Sequence, residues 1–380
     1  MPAKTISILV DHFLENNMYR TLPFLEIFYK HFNLEILAGK IDKKNLQYAT
    51  HLSEEVFRNI DTRFYDIFKS IKKSYNYLNF VRISKMIRGD FIICYKFLPG
   101  MLVPAVIRKI SKNVKLIVDI DDYDVAFRGN IDKQVTILSS RLIKFATLVF
   151  SGSKFLQEKY GGIYIPTPVK TNHFNKKNFN PNLIREKYKL GNSLVILYMG
   201  TFSPHKGIKE IIDIFHLIAK ERKNILLLMV GGAKNRRLDE SYRNYAKKKC
   251  GDRVIFTGFL PHIEMPYFIS CADIFLTPVR DNLIVYAQTP AKIAEVQSME
   301  VPIISSAIGE YSNLINDGTD GFLLEPEDLN GFKEKILLLL DDESKRKEMG
   351  RNARISCIKN RSYNVVENKL LNILKKYDFY

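Results

Sequence analysis

Residues 200–207 read Gly-Thr-Phe-Ser-Pro-His-Lys-Gly and stand directly behind the apolar run Leu194-Val195-Ile196-Leu197-Tyr198-Met199. A run of β-branched and large apolar residues ending in glycine is the pattern of a buried parallel strand. Beyond it, Ile208, Ile211, Ile212, Phe215, Leu217, Ile218 and Ala219 recur with helical spacing. Strand, turn and helix in that order bring unpaired backbone N–H groups and a positive dipole end together, which is a cradle for an anion. Lys206 adds a cation to the turn, and Gly207 lets the backbone approach closely. The chain has neither a Walker A loop nor a Gly-x-Gly-x-x-Gly segment. Taken alone, the segment could equally be a plain strand-to-helix turn with a solvated lysine.

A second segment, Thr289-Pro290-Ala291-Lys292-Ile293-Ala294-Glu295, opens another helix. Threonine suits the N-cap, and proline suits the first helical position, where a missing N–H costs nothing. Glu295 follows within that helix, before the next apolar run at residues 301–306. A carboxylate there can accept hydrogen bonds from two adjacent hydroxyls of a ribose, while the amides before it face a diphosphate. A lone helical glutamate is ordinarily a solvated face residue; its pairing with residues 200–207 favours the ligand-binding reading.

The densest acidic cluster is Asp119, Asp121, Asp122 and Asp124, at the end of the apolar run over residues 115–120. One reading is an Asp-x-Asp that bridges a divalent ion to a diphosphate. Another is a nucleophile and acid pair, Asp119 and Asp121, of the kind used by haloacid-dehalogenase phosphatases, although Tyr123 stands where that signature wants threonine or valine.

The segments YMGTFSPHKG, LLLMVGG, VIFTGFLP, ADIFLTP, TPAKIAEVQSMEVPIISS and GEYSNLINDGTDGFLLEPED occur in the order and spacing of one family. Through them, residues 190–345 resemble the nucleotide-sugar half of GT-B glycosyltransferases, specifically the large retaining glycosyltransferase family four. The amino-terminal half resembles the family through KLIVDIDDYD, VFSGSKFLQEKYGG and YIPTPVKTNHF. The resemblance implies an α/β chain with the GT-B fold, two Rossmann-like doubly wound domains facing each other across a cleft. It implies transfer of a sugar from a nucleotide-diphosphate sugar to a hydroxyl acceptor, with retention at the anomeric carbon and without an obligatory metal or other cofactor. Gly200, Thr201, Lys206, Gly231, Gly232, Thr289, Ala291, Lys292 and Glu295 would hold the donor, and Phe259 and Leu260 would lie where the family's backbone receives the nucleobase. Lys206 and Glu295 would carry the chemistry with Asp121, which occupies the place of a His at the family's active-site cleft and would touch the donor sugar or acceptor hydroxyl. This gives the acidic cluster its third reading.

Three departures from the family pattern concern the donor. Thr201 stands in place of the usual arginine, and Lys292 is positioned to replace that charge. Ala287 stands where the first glutamate of a paired motif is usual, which leaves the donor sugar open. Glu300 replaces a glycine.

The elements that must position these residues alternate between strand and helix, which implies parallel sheets covered on both faces. Strands are predicted at residues 6–10, 34–38, 91–95, 115–120, 147–152 and 163–166, then at 194–200, 225–231, 254–258, 274–278, 302–306 and 321–325. Residues 61–88, basic and aromatic, read as an amphipathic helix, either core-facing or lying on an anionic membrane. Residues 172–182 are rich in Asn and Lys and read as a linker. The expected organisation is residues 1–182 as an acceptor-side domain, 183–362 as the nucleotide-sugar domain, and 363–380 as a helix crossing back. Residues 280–288 are expected to form a mobile loop.

The 380 residues carry 58 Lys+Arg against 41 Asp+Glu, a net charge of +17. Residues 1–182 hold 28 basic and 16 acidic side chains, so +12 of the charge lies there. That half would face something anionic: a glycan or lipid-linked acceptor, or a phospholipid surface. No recognition motif supports nucleic acid. The four cysteines are scattered, which fits a reducing compartment. The expected location is cytoplasmic, with a peripheral position at the inner face of the membrane as the sharper version. Two other functions remain open on the sequence: an inert binding module on the same fold, and the phosphatase built on Asp119 and Asp121.

Overall fold

The computed structural model describes residues 3–13, 20–41, 60–64, 77–127 and 130–380. The chain divides into two compact units. One comprises Met1–Pro168, Ala287–Thr289 and Val366–Tyr380; the other comprises Val169–Tyr286 and Pro290–Val365.

The first unit is a parallel sheet. Its strands are β1 (Thr5–Phe13), β2 (Asn33–Ile41), β3 (Asp61–Phe64), β4 (Phe91–Tyr95), β5 (Lys115–Ile120), β6 (Leu148–Ser151) and β7 (Ile163–Tyr164). Their spatial order is β3-β2-β1-β4-β5-β6-β7. The chain therefore starts in the middle, winds outward one way, then crosses to wind the other, leaving a switch point between β1 and β4. Strands β4 and β5 are apolar almost throughout because both faces are covered. The helix Pro99–Lys112 begins with proline in its first turn and covers them with Met101, Leu102, Ala105 and Val106.

The second unit repeats the design with β8 (Leu194–Met199), β9 (Ile225–Val230), β10 (Val254–Gly258), β11 (Ile274–Thr277), β12 (Ile303–Ser306) and β13 (Gly321–Leu324), in the order β10-β9-β8-β11-β12-β13. Successive side chains of a strand point to opposite faces. Ile196 and Tyr198 of β8 thus join the helices Ile208–Glu221 and Leu329–Asp341 in one core layer. Val195, Leu197 and Met199 join Phe268, Ile293 and Val296 in the other.

Several expectations give way. Residues 61–88 are not one helix. Asp61–Phe64 pairs with β2 as a strand, Glu35 opposite Asp61, and the helix is Tyr77–Met86. Phe68, Lys69, Ile71, Lys72, Lys73 and Tyr75 lie outside the described residues. The boundary between units falls at Pro168 rather than residue 182. Composition marks residues 172–182 as polar, yet Phe174 is 2% exposed within the second unit's core. Its carbonyl accepts hydrogen bonds from Ser298 Oγ (2.7 Å) and Arg354 Nη1 (3.0 Å). Residues 280–288 contain a short helix, Leu283–Ala287, with Val285 and Ala287 buried. The chain's final helix, Tyr363–Lys376, contributes Val366, Leu370 and Leu374 to buried positions, and Val366–Tyr380 counts with the first unit.

Candidate active site

At the carboxyl end of β8 the chain turns at Gly200, whose N–H donates to Val230 O at 2.9 Å, while Phe202 N–H donates to Gly232 O at 2.8 Å. The ends of β8 and β9 are thereby sewn together. A Cβ on Gly231 would lie 2.1 Å from Gly200 O, so the approach requires glycine. A short 3-10 turn, Pro204–Lys206, follows, and Gly207 sits at φ +69° before the helix Ile208–Glu221. A Cβ there would meet Pro278 O at 1.8 Å.

Lys292 rises from the helix Ala291–Ser298 to the same place. Its Nζ donates to Met199 O at 3.2 Å, lies 4.6 Å above the Tyr198 ring centroid, and stands 3.4 Å from where a Gly200 side chain would begin. Burial, reinforced by the charge of Lys206, holds the Lys292 pKa well below the usual lysine range; Glu295 offsets this in part. His205 feels the same crowding. Burial lowers its pKa, and Lys206 and Lys292 push further, to about 4. Three basic side chains thus gather beyond β8, two of them with their charged forms disfavoured. An arriving anion relieves that repulsion.

Glu295, in the same helix as Lys292, is 8% exposed. Its Oε1 lies 2.8 Å from His262 Nε2. Phe259 is 55% exposed, and its ring lies against Gly232, where an added Cβ would be 3.2 Å from its edge. Leu260 instead packs partly buried against the core. Thr201 is exposed, and Ala291 opens the helix that carries Lys292 and Glu295.

Thr289 departs from expectation. The helix starts one turn position later than the sequence suggests, with Pro290 at the N-cap and no side-chain cap. Thr289 belongs with the first unit, where its Oγ1 donates to Asp121 O at 3.4 Å and would clash with any side chain on Gly152. The tertiary hydrogen bond to the Asp121 carbonyl replaces the cap.

The acidic cluster of the first unit is organised by two cations. Arg20 grips Asp119 through Nε (2.9 Å to Oδ2) and Nη2 (2.7 Å to Oδ1), and its Nη1 donates to Ile165 O at 2.7 Å. Both residues are 3% exposed. With both carboxylate oxygens so occupied, Asp119 is not a free nucleophile, and the phosphatase reading loses its first residue. Lys96 stands among the other three carboxylates, 3.4 Å from Asp121, 3.1 Å from Asp122 and 3.3 Å from Asp124. Its ammonium offsets part of their negative charge. Burial pulls the Lys96 pKa down, yet Asp121, Asp124 and Asp122 outweigh it and leave it well above the usual range. Asp121 behaves differently. Burial raises its pKa against the pull of Lys96, and the neighbouring carboxylates add, bringing it to about 7.

His205, His262, Lys96 and Arg20 are absent from the sequence-based site. His205 lies inside the motif, beside Lys206, and that position is the signal that could have found it. His262 follows GFLP by position alone. Lys96 and Arg20 carry no local signal, since each acts on carboxylates that are distant along the chain.

The sequence profile of glycosyl transferases group 1 matches residues 180–356. The chain is 29% identical over 186 residues to the capsular polysaccharide biosynthesis glycosyltransferase CapM of Staphylococcus aureus, covering 48% of this chain and 46% of that protein. It is 26% identical over 170 residues to the alpha-D-kanosaminyltransferase of Streptomyces kanamyceticus, covering 45% and 42%. The matched stretches thus span under half the length of these relatives. In structure, the chain is similar to Anabaena Alr3699/HepE, solved in complex with UDP and glucose, at a TM-score of 0.78 and 16% identity over 98% of this chain and 99% of that one. The sucrose-phosphate synthase of Thermosynechococcus elongatus gives a TM-score of 0.73 at 15% identity, covering 98% of each chain. These likenesses establish the fold as GT-B. The segment from residue 180 to 356, which carries Lys206, Lys292 and Glu295, is the part of the chain that is similar to the glycosyl transferases group 1 family.

Proposed function

We propose that this protein is a glycosyltransferase that moves a sugar from a nucleotide-diphosphate sugar to a hydroxyl of a glycan or lipid-linked acceptor, with retention at the anomeric carbon. The observation that carries the reading is the gathering of Lys206, Lys292 and His205 beyond the carboxyl end of β8, with the Glu295 carboxylate on the same helix as Lys292. Departure of a nucleoside diphosphate builds negative charge on phosphate, and cations held in place beforehand stabilise it without reorganisation. Lys206, Lys292 and the turn at Gly200-Thr201 supply that field, so no metal is required. Glu295 takes the ribose hydroxyls, and the exposed Phe259 beside Gly231-Gly232 supports the base. Asp121, titrating near neutrality, is assigned to the acceptor hydroxyl and its proton. The excess basic charge of residues 1–182 fits a peripheral position on an anionic membrane. Among the described residues no helix is long and apolar enough to cross one.

The decisive experiment is a thermal-shift panel of UDP, GDP, ADP, CMP and dTDP sugars. A ligand that binds only the folded state at a hundred times its Kd adds about 2.7 kcal/mol of stability, so one base should stand out. Lys206→Ala and Glu295→Ala should each abolish that shift; a shift of full size in both would reject the site. The membrane arm is read by flotation with phosphatidylglycerol vesicles. Binding that weakens with salt is expected, and salt-insensitive binding or none would reject it.

A further inference from the structure

Glu295 does not stand free to receive a ligand. His262 lies in the 3-10 turn His262–Glu264 that follows β10, and Pro261, extended at φ −58° and ψ 141°, aims that turn toward the helix Ala291–Ser298. The two side chains, each 10% exposed, meet with Nε2 2.8 Å from Oε1. A carboxylate oxygen only accepts, so Nε2 carries the proton and donates it. Behind the imidazole, the Phe174 ring stands 5.9 Å away, itself held by Ser298 and Arg354 through its carbonyl. The imidazole is therefore a fixed object, and through it so is the carboxylate. Oε2 has no bond to His262, and Oε1 keeps one lone pair.

We propose that His262 is a positioning residue that locks the Glu295 carboxylate in the orientation that recognises a vicinal diol, and so sets the preference for a ribonucleoside over a 2′-deoxyribonucleoside diphosphate. The proposal rests on Glu295 being the ribose ligand of the preceding reading. A glutamate without this partner would sample several rotamers, each of which costs conformational freedom to fix on binding. With the rotamer fixed beforehand, the full worth of a charge-assisted hydrogen bond to the 2′-hydroxyl is realised on binding.

The test measures Kd by titration calorimetry for UDP and dUDP, and for GDP and dGDP, with wild-type protein, His262→Ala and His262→Gln. Glutamine presents an N–H donor in roughly the place of Nε2. The wild type is expected to prefer the ribonucleotide by about tenfold, in keeping with one charge-assisted hydrogen bond. His262→Ala should bring the preference to within about twofold through weaker ribonucleotide binding, and His262→Gln should restore most of it. A merely structural role would lower thermal stability and weaken both sugars equally. An undiminished preference in His262→Ala, or equal weakening of both nucleotides, overturns the proposal and leaves the nucleotide site standing. Absence of nucleoside diphosphate binding in the wild type overturns both.

Discussion

Asp121 and Asp119 lie two residues apart on one strand end, yet their surroundings give them opposite characters. Asp119 is gripped by Arg20 through three N–H···O contacts. Removing one partner of so buried a pair leaves the other charge uncompensated, at a cost of about 3–5 kcal/mol. Arg20→Ala should therefore lower the denaturation midpoint sharply. The double variant Arg20→Met/Asp119→Leu should lower it less than the sum of Arg20→Met and Asp119→Leu made singly, and additive losses would contradict the pairing. Asp121 has its pKa raised to about 7, chiefly by burial. Between the ordinary carboxylate pKa and that value, the folded chain holds a proton that the unfolded chain has released. The resulting stability is complete below about pH 4 and is lost as pH rises through about 7. Asp121→Asn should therefore gain on the wild type as pH rises from 5 to 8. A constant difference in melting temperature across that range would refute the assignment. The same sign argument applies to the binding cluster. His205 and Lys292 have lowered pKa values, so a bound diphosphate should raise them and draw in protons. Calorimetry in two buffers of different ionisation enthalpy should show net proton uptake, and none would count against an anion at that place.

The strand-turn-helix unit around Gly207 works because two conditions coincide at one residue. Gly207 occupies the left-handed region at φ +69°, and its α-carbon approaches Pro278 O so closely that a methyl group would fall at 1.8 Å. Gly207→Ala must meet the left-handed penalty of about 1–2 kcal/mol and also part the turn from β11. Gly191 offers the control, because it is left-handed at φ +52° with nothing within 4 Å of its added carbon. Gly191→Ala should cost about 1 kcal/mol, and Gly207→Ala at least about twice that, with a loss of nucleotide binding. Urea denaturation of the two variants compares them directly, and equal losses would show that the close approach does not matter. The helix Ala291–Ser298 illustrates the other side of element-level reasoning. Thr289-Pro290 has the composition of a helix start, but the threonine is drawn to the Asp121 carbonyl and the helix begins at Ala291. A cap worth about 1 kcal/mol yields to a tertiary contact of similar worth.

For the whole molecule, the units are not continuous stretches of sequence. The first unit recruits Val366–Tyr380 from the far end of the chain. Val366, Leu370, Leu374 and Phe379 are buried, Phe379 at 5.0 Å from the Phe91 ring, and Lys115 Nζ donates to the carbonyls of Tyr377 and Asp378 at 2.7 Å. Each such side chain contributes about 1.5–3 kcal/mol on burial. Deleting residues 366–380 should thus strip hydrogen-exchange protection from β1, β4 and β5 while β8, β9 and β11 keep theirs. Uniform loss across both units, or none, would argue against this division.

The buried parallel strands were legible in the sequence because they are covered on both faces and read as unbroken apolar runs; residues 91–95, 115–120 and 254–258 match their strands to the residue. The turn from Gly200 to Gly207 was legible too, since glycine, lysine and a strand end are local features. Strand β3 was not, because Asp61–Phe64 is a strand through pairing with β2 and its own residues do not announce it. Nor was the place of Phe174, an aromatic in a polar stretch whose partners, Ser298 and Arg354, lie far along the chain. The alternation of strand and helix, and hence the parallel sheets, followed from side-chain type and spacing in the sequence alone, while the GT-B expectation came from a resemblance carried by short motifs. Only the tertiary structure decided that Arg20 occupies Asp119, that Lys96 stands among Asp121, Asp122 and Asp124, and that His262 holds Glu295. Hydrogen bonds and ion pairs act over a few ångströms, and folding alone brings such residues within that reach.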